Sequence, residues 1–169
     1  MAEREKKSPK NTRAMAGEFA VLSQLALHGL VATMTLGYTK GVDILVFNPD
    51  NQRMYQLEVK TRFRMGVKKS KRYGPVFEWV MSKKHEKLKN SRLFYCFVNI
   101  GKDDAFRYFV VPSRIVAMYV RREHRRWKGW SRPSAENDMR TFRLRVASAD
   151  FPEWVLPARK YESKWNLLK

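Results

Sequence analysis

At 169 residues with 44% hydrophobic side chains, the chain is long enough for one globular domain with a full core, which excludes a disordered segment and a disulfide-stapled miniprotein. It carries 35 Lys and Arg against 16 Asp and Glu, a net charge of +19, and such an excess attracts polyanions, with nucleic acid the natural partner. The one cysteine, Cys96, sits in an apolar run as a buried structural thiol, and no apolar stretch approaches the ~20 residues of a membrane helix, so a cytoplasmic protein without membrane contact is expected.

Residues 1–10 lack apolar periodicity and read as a basic flexible arm. Residues 11–169 read as a single domain, with a core over 11–120 and a basic, aromatic extension over 121–169. A helix starts at Ser8-Pro9 or Asn11-Thr12 and ends at Gly29. Its spacing predicts a buried stripe of Met15, Phe19, Leu22, Leu25 and Ala26, and Glu18, one turn before Leu22, points toward the sheet. Strands are predicted over Val31–Leu36, Val42–Phe47 and Arg53–Lys60, with Asn48-Pro49-Asp50-Asn51 as the turn between the last two.

The segment from Phe63 to Gly74 is basic without an acid and reads as a solvated loop. Val76–Met81 follows as a short strand, Ser82 caps a short helix through Lys89, and Leu93–Ile100 and Phe106–Val111 are interior strands. Pro112-Ser113 opens a second helix that runs into the densest basic tract, Arg121 to Trp130. Thr141–Val146 forms an edge strand, and the apolar residues Trp154, Tyr161, Trp165, Leu167 and Leu168 dock back on the body. The fold class expected is α/β, a central mixed sheet flanked by helices.

Two strands carry acid where a core sheet normally has none. Along the third strand, Met54, Gln56, Glu58 and Lys60 share one face and Tyr55, Leu57 and Val59 the other, so Glu58 and Lys60 project into the same space. Asp43 opens the neighbouring apolar strand. Desolvating a carboxylate costs several kcal/mol unless a cation compensates, so an acid pair amid Ile, Leu and Val points to a shared Mg²⁺ beside a lysine. Glu18 is the third acid of the suspected site. His28, His85 and His124 show no spacing typical of a metal or catalytic cluster and receive no role.

A helix with an inward acid, a strand meander carrying Asp43, a gap of fifteen positions, and then Glu58-x-Lys60 resembles the PD-(D/E)xK nuclease superfamily. Among its members the chain is similar to the compact Holliday-junction-resolvase-like and restriction-endonuclease-like kinds. Val42 stands where the motif name has proline. The resemblance implies a restriction-endonuclease-like domain hydrolysing DNA phosphodiesters with Mg²⁺, for which Mn²⁺ can substitute. It implies that Asp43, Glu58 and the backbone carbonyl of Val59 hold the ion, that Glu18 supports it directly or through water, and that Lys60 positions or helps deprotonate the attacking water. It also leaves a homodimer open to the chain.

The expected nucleic-acid contacts begin at the mouth of that site with Arg62, Arg64, Lys68, Lys69, Lys71 and Arg72. A second set is Arg121, Arg122, Arg125, Arg126 and Lys128, where Trp127 and Trp130 interleave with the cations. DNA ranks ahead of RNA as partner. The competing classes are a noncatalytic DNA- or RNA-binding module on the nuclease scaffold and a basic ribosome-linked protein whose acids are salt-bridged.

Overall fold

The computed structural model describes residues 9–36, 41–130, 137–146 and 153–169, so the expected arm over 1–10 lies outside it apart from Pro9 and Lys10. Helix α1 (Lys10–Leu27) starts after Pro9, whose φ of −55° suits entry into a helix. It stops at Gly29, which adopts φ +75°. There the Gly29 N–H donates to Ala26 O and the Leu30 N–H to Leu25 O, a Schellman ending with Leu25 and Leu30 both buried behind it.

Five strands form the main sheet: β1 (Val31–Met34), β2 (Ile44–Asn48), β3 (Arg53–Phe63), β6 (Leu93–Ile100) and β7 (Phe106–Pro112), in the order β1-β2-β3-β6-β7. All neighbours are antiparallel except β3 and β6, so the sheet is mixed, as the sequence predicts. The connection from β3 to β6 holds what the sequence does not reveal. Here β4 (Lys68–Ser70) and β5 (Gly74–Ser82) pair with β8 (Met139–Arg145) as a second, three-stranded antiparallel sheet. The stretch taken for a solvated loop is therefore partly a hairpin, its turn held by Ser70 Oγ accepting the N–H groups of Arg72 and Tyr73.

Helix α2 (Ser113–Trp130) runs unbroken through residue 120 and packs Val116, Tyr119 and Val120 into the space between the two sheets. Phe77, Trp79, Phe97, Phe109, Phe142 and Leu144 fill the same space, with Phe97 stacked on Phe142 at 4.3 Å. On the opposite face of the main sheet, α1 covers Leu57, Val59, Cys96 and Val98. The last residues complete that core: Trp165 and Leu168 are fully buried, and Asn48 Nδ2 donates to Leu168 O. Among the described residues no helix is long and apolar enough to cross a membrane.

The buried stripe of α1 differs from the expected one. Gly17, Val21 and Leu25 face the sheet, whereas Met15, Phe19 and Ala26 are exposed, a rotation of about a third of a turn. Close approach is the cause: a Cβ on Gly17 would sit 1.9 Å from Thr61 Oγ1, so only glycine lets the helix lie this near β3. Glu18 stays on the flank of the packed face, half-buried.

Candidate active site

β2 begins at Ile44, and the residue before it completes the ladder with its side chain. The Asp43 backbone N–H donates to Leu57 O, and the Asp43 carboxylate Oδ2 accepts the Val59 N–H at 2.6 Å, which β2 no longer reaches. In a strand the N–H and C=O of one residue open on the same edge, so the Val59 carbonyl faces the same notch. The aspartate is thus pinned where β3 loses its antiparallel neighbour, beside the stretch that carries Glu58 and Lys60.

Glu58 is 2% exposed, and its Oε1 accepts two hydrogen bonds, from Lys60 Nζ at 2.6 Å and from His85 Nε2 at 3.1 Å. Burial by itself raises the Glu58 pKa, but the His85 hydrogen bond and the Lys60 ammonium outweigh it and hold the carboxyl at about 2. The second oxygen, Oε2, is buried and makes no hydrogen bond of ordinary geometry, and the Tyr95 hydroxyl, raised in pKa by burial and then by the Glu58 charge, is the carboxylate's neighbour on the adjacent strand. Beside it lies Gly41 at φ +84°, a backbone that favours glycine, and a Cβ there would come to 3.7 Å from Oε2, an ordinary contact.

The other two acids shift the opposite way. Burial raises the pKa of Asp43; the Val59 N–H and Lys60 oppose it, and the Glu58 charge adds to it. Glu18 is raised by its own burial and then by Asp43, with Lys60 pulling it down. These mutual effects place the three carboxylates and the lysine within one electrostatic neighbourhood. Among the described residues, however, no three His, Cys, Asp or Glu side chains close into a ready-made metal cage. Four side chains gathered around one ion are therefore not what the structure presents. It presents Asp43 coupled by charge to Glu58 and to Glu18, with Glu58 alone of the three in direct contact with Lys60.

That donor set still fits Mg²⁺, which keeps several waters and is commonly held by one or two carboxylates plus substrate phosphate. An unpartnered buried carboxylate oxygen costs about 1–3 kcal/mol. Glu58 Oε2 is such an atom. It is a buried, charged acceptor with capacity to spare, beside Gly41.

Two residues that sequence reasoning left out belong here. His85 sits on a 3₁₀ turn (Lys83–Glu86), 3% exposed, and its Nδ1 accepts the Ser82 N–H while its Nε2 faces Glu58. Lys84, next to it, lowers the pKa of Asp43 through space. The only sequence signal for His85 is the local spacing Ser82-x-x-His85, which marks a capped turn and not a partner 27 residues upstream.

The expected basic contacts divide. Arg62 is 5% exposed, donates from Nη2 to Gly66 O, and lies 5.5 and 5.7 Å from the rings of Phe77 and Trp79. It is not a surface contact, because the second sheet covers the β3 face that it shares with Glu58. Arg64 pairs with Asp104 and Lys68 with Glu78, while Arg72 and Arg126 stack on Trp130 and Trp154. Lys69 and Lys71 are exposed beside a groove of about 360 Å³. Along α2, Arg114, Met118, Arg121, Arg122 and Arg125 line a groove of about 650 Å³ that Lys89 closes. The only acid of that helix, Glu123, faces inward to Arg143 and the Tyr73 hydroxyl, so the outer face is cationic.

The Glu58 pKa sets a testable pH dependence for the metal-free protein. Its folded value lies below its usual 4.5, so its contribution is complete above that pH and disappears as pH falls toward 2. Glu58→Gln is expected to lose on the order of 3 kcal/mol at pH 7. The gap to wild type should close between pH 5 and 2 when urea midpoints are compared in EDTA, and a constant gap across that window would contradict the ionic origin.

No family model matches the chain, and no curated protein matches it in sequence. Among solved structures it is similar to that of a bacterial homing endonuclease, I-Ssp6803I, with a TM-score of 0.53 at 12% identity over 96% of this chain and 92% of that one. A likeness at that identity speaks for the fold: a mixed α/β domain with a central mixed sheet and flanking helices, shared with a nuclease.

Proposed function

We propose that the chain is a Mg²⁺-dependent endonuclease that hydrolyses DNA phosphodiesters at Asp43, Glu58 and Lys60, on the PD-(D/E)xK pattern. The observation that carries this reading is Glu58: a buried carboxylate kept ionised, with one oxygen committed to Lys60 and His85 and the other making no hydrogen bond of ordinary geometry beside Gly41. Hydrolysis needs a nucleophile near neutral pH and relief of the charge growing on the phosphoryl oxygens, both of which Mg²⁺ supplies when bound.

The chain's own residues do the rest. Asp43, Glu58 and the Val59 carbonyl would hold the ion, and Glu18 would support it directly or through water. Lys60, 28% exposed, meets solvent where the phosphate arrives and orients the attacking water or takes up its proton. Asp43 cannot drift, because Val59 N–H fixes one oxygen. The cationic face of α2 spans about 17 Å from Arg114 to Arg125 and follows the duplex backbone without reading its sequence.

The test is cleavage of linear, nicked, flapped and four-way DNA with Mg²⁺, with Mn²⁺ and in EDTA. Product only with metal supports the reading; binding without cleavage on every substrate leaves a noncatalytic module, and preference for structured RNA leaves the RNA-binding class. Binding has its own readout. Reversing Arg114, Arg122 and Arg125 to Glu is expected to flatten the slope of log affinity against log salt by about 3, at about 0.9 per lost phosphate contact. The same charge change at exposed Lys102, Lys164 and Lys169 is expected to flatten it far less, and equal effects would mean that only net charge matters.

A further inference from the structure

His85 contributes nothing to the motif and lies 27 residues beyond Glu58, yet it is the most constrained polar group in contact with the site. Its ring is 3% exposed and set edge-on to Tyr95 at 5.8 Å. Nδ1 lies 3.0 Å from Ser82 N and 2.9 Å from Ser82 O, so the Ser82 backbone holds that side of the ring. The ionised Glu58 carboxylate can only accept, so Nε2 is the donor to Oε1, the same oxygen that Lys60 holds. With two donors on Oε1, that oxygen is committed and the carboxylate is held against rotation, and Oε2 is the oxygen without such a bond.

We infer that His85 is a positioning residue: anchored by Ser82, it locks the Glu58 carboxylate so that Oε2 is presented to the divalent cation. The inference rests on the metal-site reading above and adds a residue that touches neither substrate nor ion. The 3₁₀ turn between β5 and β6 thereby becomes part of the site, because it carries the donor across from the second sheet. Outer hydrogen-bond partners of metal-binding carboxylates commonly matter by 10–100-fold in ion affinity.

Two substitutions separate positioning from packing, since His85 makes two distinct bonds. His85→Asn keeps an oxygen where Nδ1 accepts the Ser82 N–H and loses the reach to Glu58. His85→Gln reaches Glu58 with its amide N–H and loses the Ser82 anchor. Both are read by Mn²⁺ titration of the DNA-free protein, by the Mg²⁺ concentration giving half-maximal cleavage, and by thermal melting.

The expected result is an ion affinity at least about 10-fold weaker in His85→Asn, alongside a lower melting temperature from the lost hydrogen bond to Glu58 that His85→Gln does not share. His85→Gln is expected to stay within about 3-fold of wild type in affinity. The maximal cleavage rate at saturating Mg²⁺ should fall less than the affinity does. Unchanged affinity in His85→Asn, or a larger loss in His85→Gln than in His85→Asn, overturns the inference and leaves His85 as a turn-capping residue. A wild type that neither binds Mn²⁺ nor cleaves DNA removes the metal site itself, and the inference with it.

Discussion

Asp43→Asn is expected to lower Mg²⁺-dependent cleavage by at least about 10³-fold while leaving the metal-free protein as stable as wild type or more stable. The two halves have one cause. Burial and the Glu58 charge raise the Asp43 pKa, so its ionised form is disfavoured in the fold relative to the unfolded chain. That penalty is present at pH 7 and vanishes as pH falls below the unfolded value, and a neutral amide removes it at once. The Asn oxygen can still accept the Val59 N–H, so the strand edge keeps its cap. What disappears is the anionic charge that an ion requires.

Glu58→Gln should behave in the opposite sense for stability, because Glu58 is held below its usual range by His85 and Lys60 against the effect of burial. Two neighbouring carboxylates pushed apart in this way are what the proposed metal site calls for. Single-turnover cleavage and denaturant midpoints in EDTA, measured on both variants, check the pair. An Asp43→Asn protein that cuts at the wild-type rate would sink the assignment of the aspartate.

The second large effect concerns the fold. Trp165→Ala is expected to destabilise by about 3–5 kcal/mol, because a fully buried indole packed among Val21, Leu25, Ile44 and Leu168 leaves a cavity that rigid strands cannot collapse. In a chain of this length that corresponds to a melting temperature lower by roughly 10 °C or more. The tryptophan sits against His28 and Tyr108, with ring centroids 5.6 and 5.7 Å away, so the last turn of the chain clamps the end of α1 to the sheet. Trp130, 46% exposed beneath the Arg72 guanidinium, provides the contrast: its truncation should shift melting by only a few degrees. A Trp165→Ala protein that melts within about 2 °C of wild type would show that the C-terminal segment only rests on the core.

The strands that build the site were legible because their signals are local. Leu93–Ile100 is a continuous apolar run buried on both faces, and alternation along Arg53–Lys60 places Glu58 and Lys60 together without any tertiary information. The Asn48–Asn51 turn fixes which strand Asp43 opens beside. The rotation of α1 was not legible, because bulky side chains define the expected stripe while the packing is set by Gly17, whose role depends on Thr61 across the interface.

The second sheet was hidden for a related reason. Lys68 and Arg143 read as solvent-facing charges until Glu78, which both contact, and Glu123 are placed beside them. Arg140, also nearly buried, finds its partner in Glu86. His85 combines both obstacles. Its local pattern announces a cap, and its functional neighbour is joined to it only by the crossover from β3 to β6.

The proposed hydrolysis needs Lys60 beside a cation held at Asp43 and Glu58. Single-turnover cleavage of duplex DNA by wild type and Lys60→Ala across one Mg²⁺ titration tests it most directly, with DNA binding measured in parallel. Wild-type cutting is expected to rise from nothing in EDTA to a plateau with Mg²⁺. Lys60→Ala is expected to bind the same DNA and to cut at least about 10²-fold more slowly at every concentration. Cutting that persists in EDTA, or a Lys60→Ala rate equal to wild type, would contradict it.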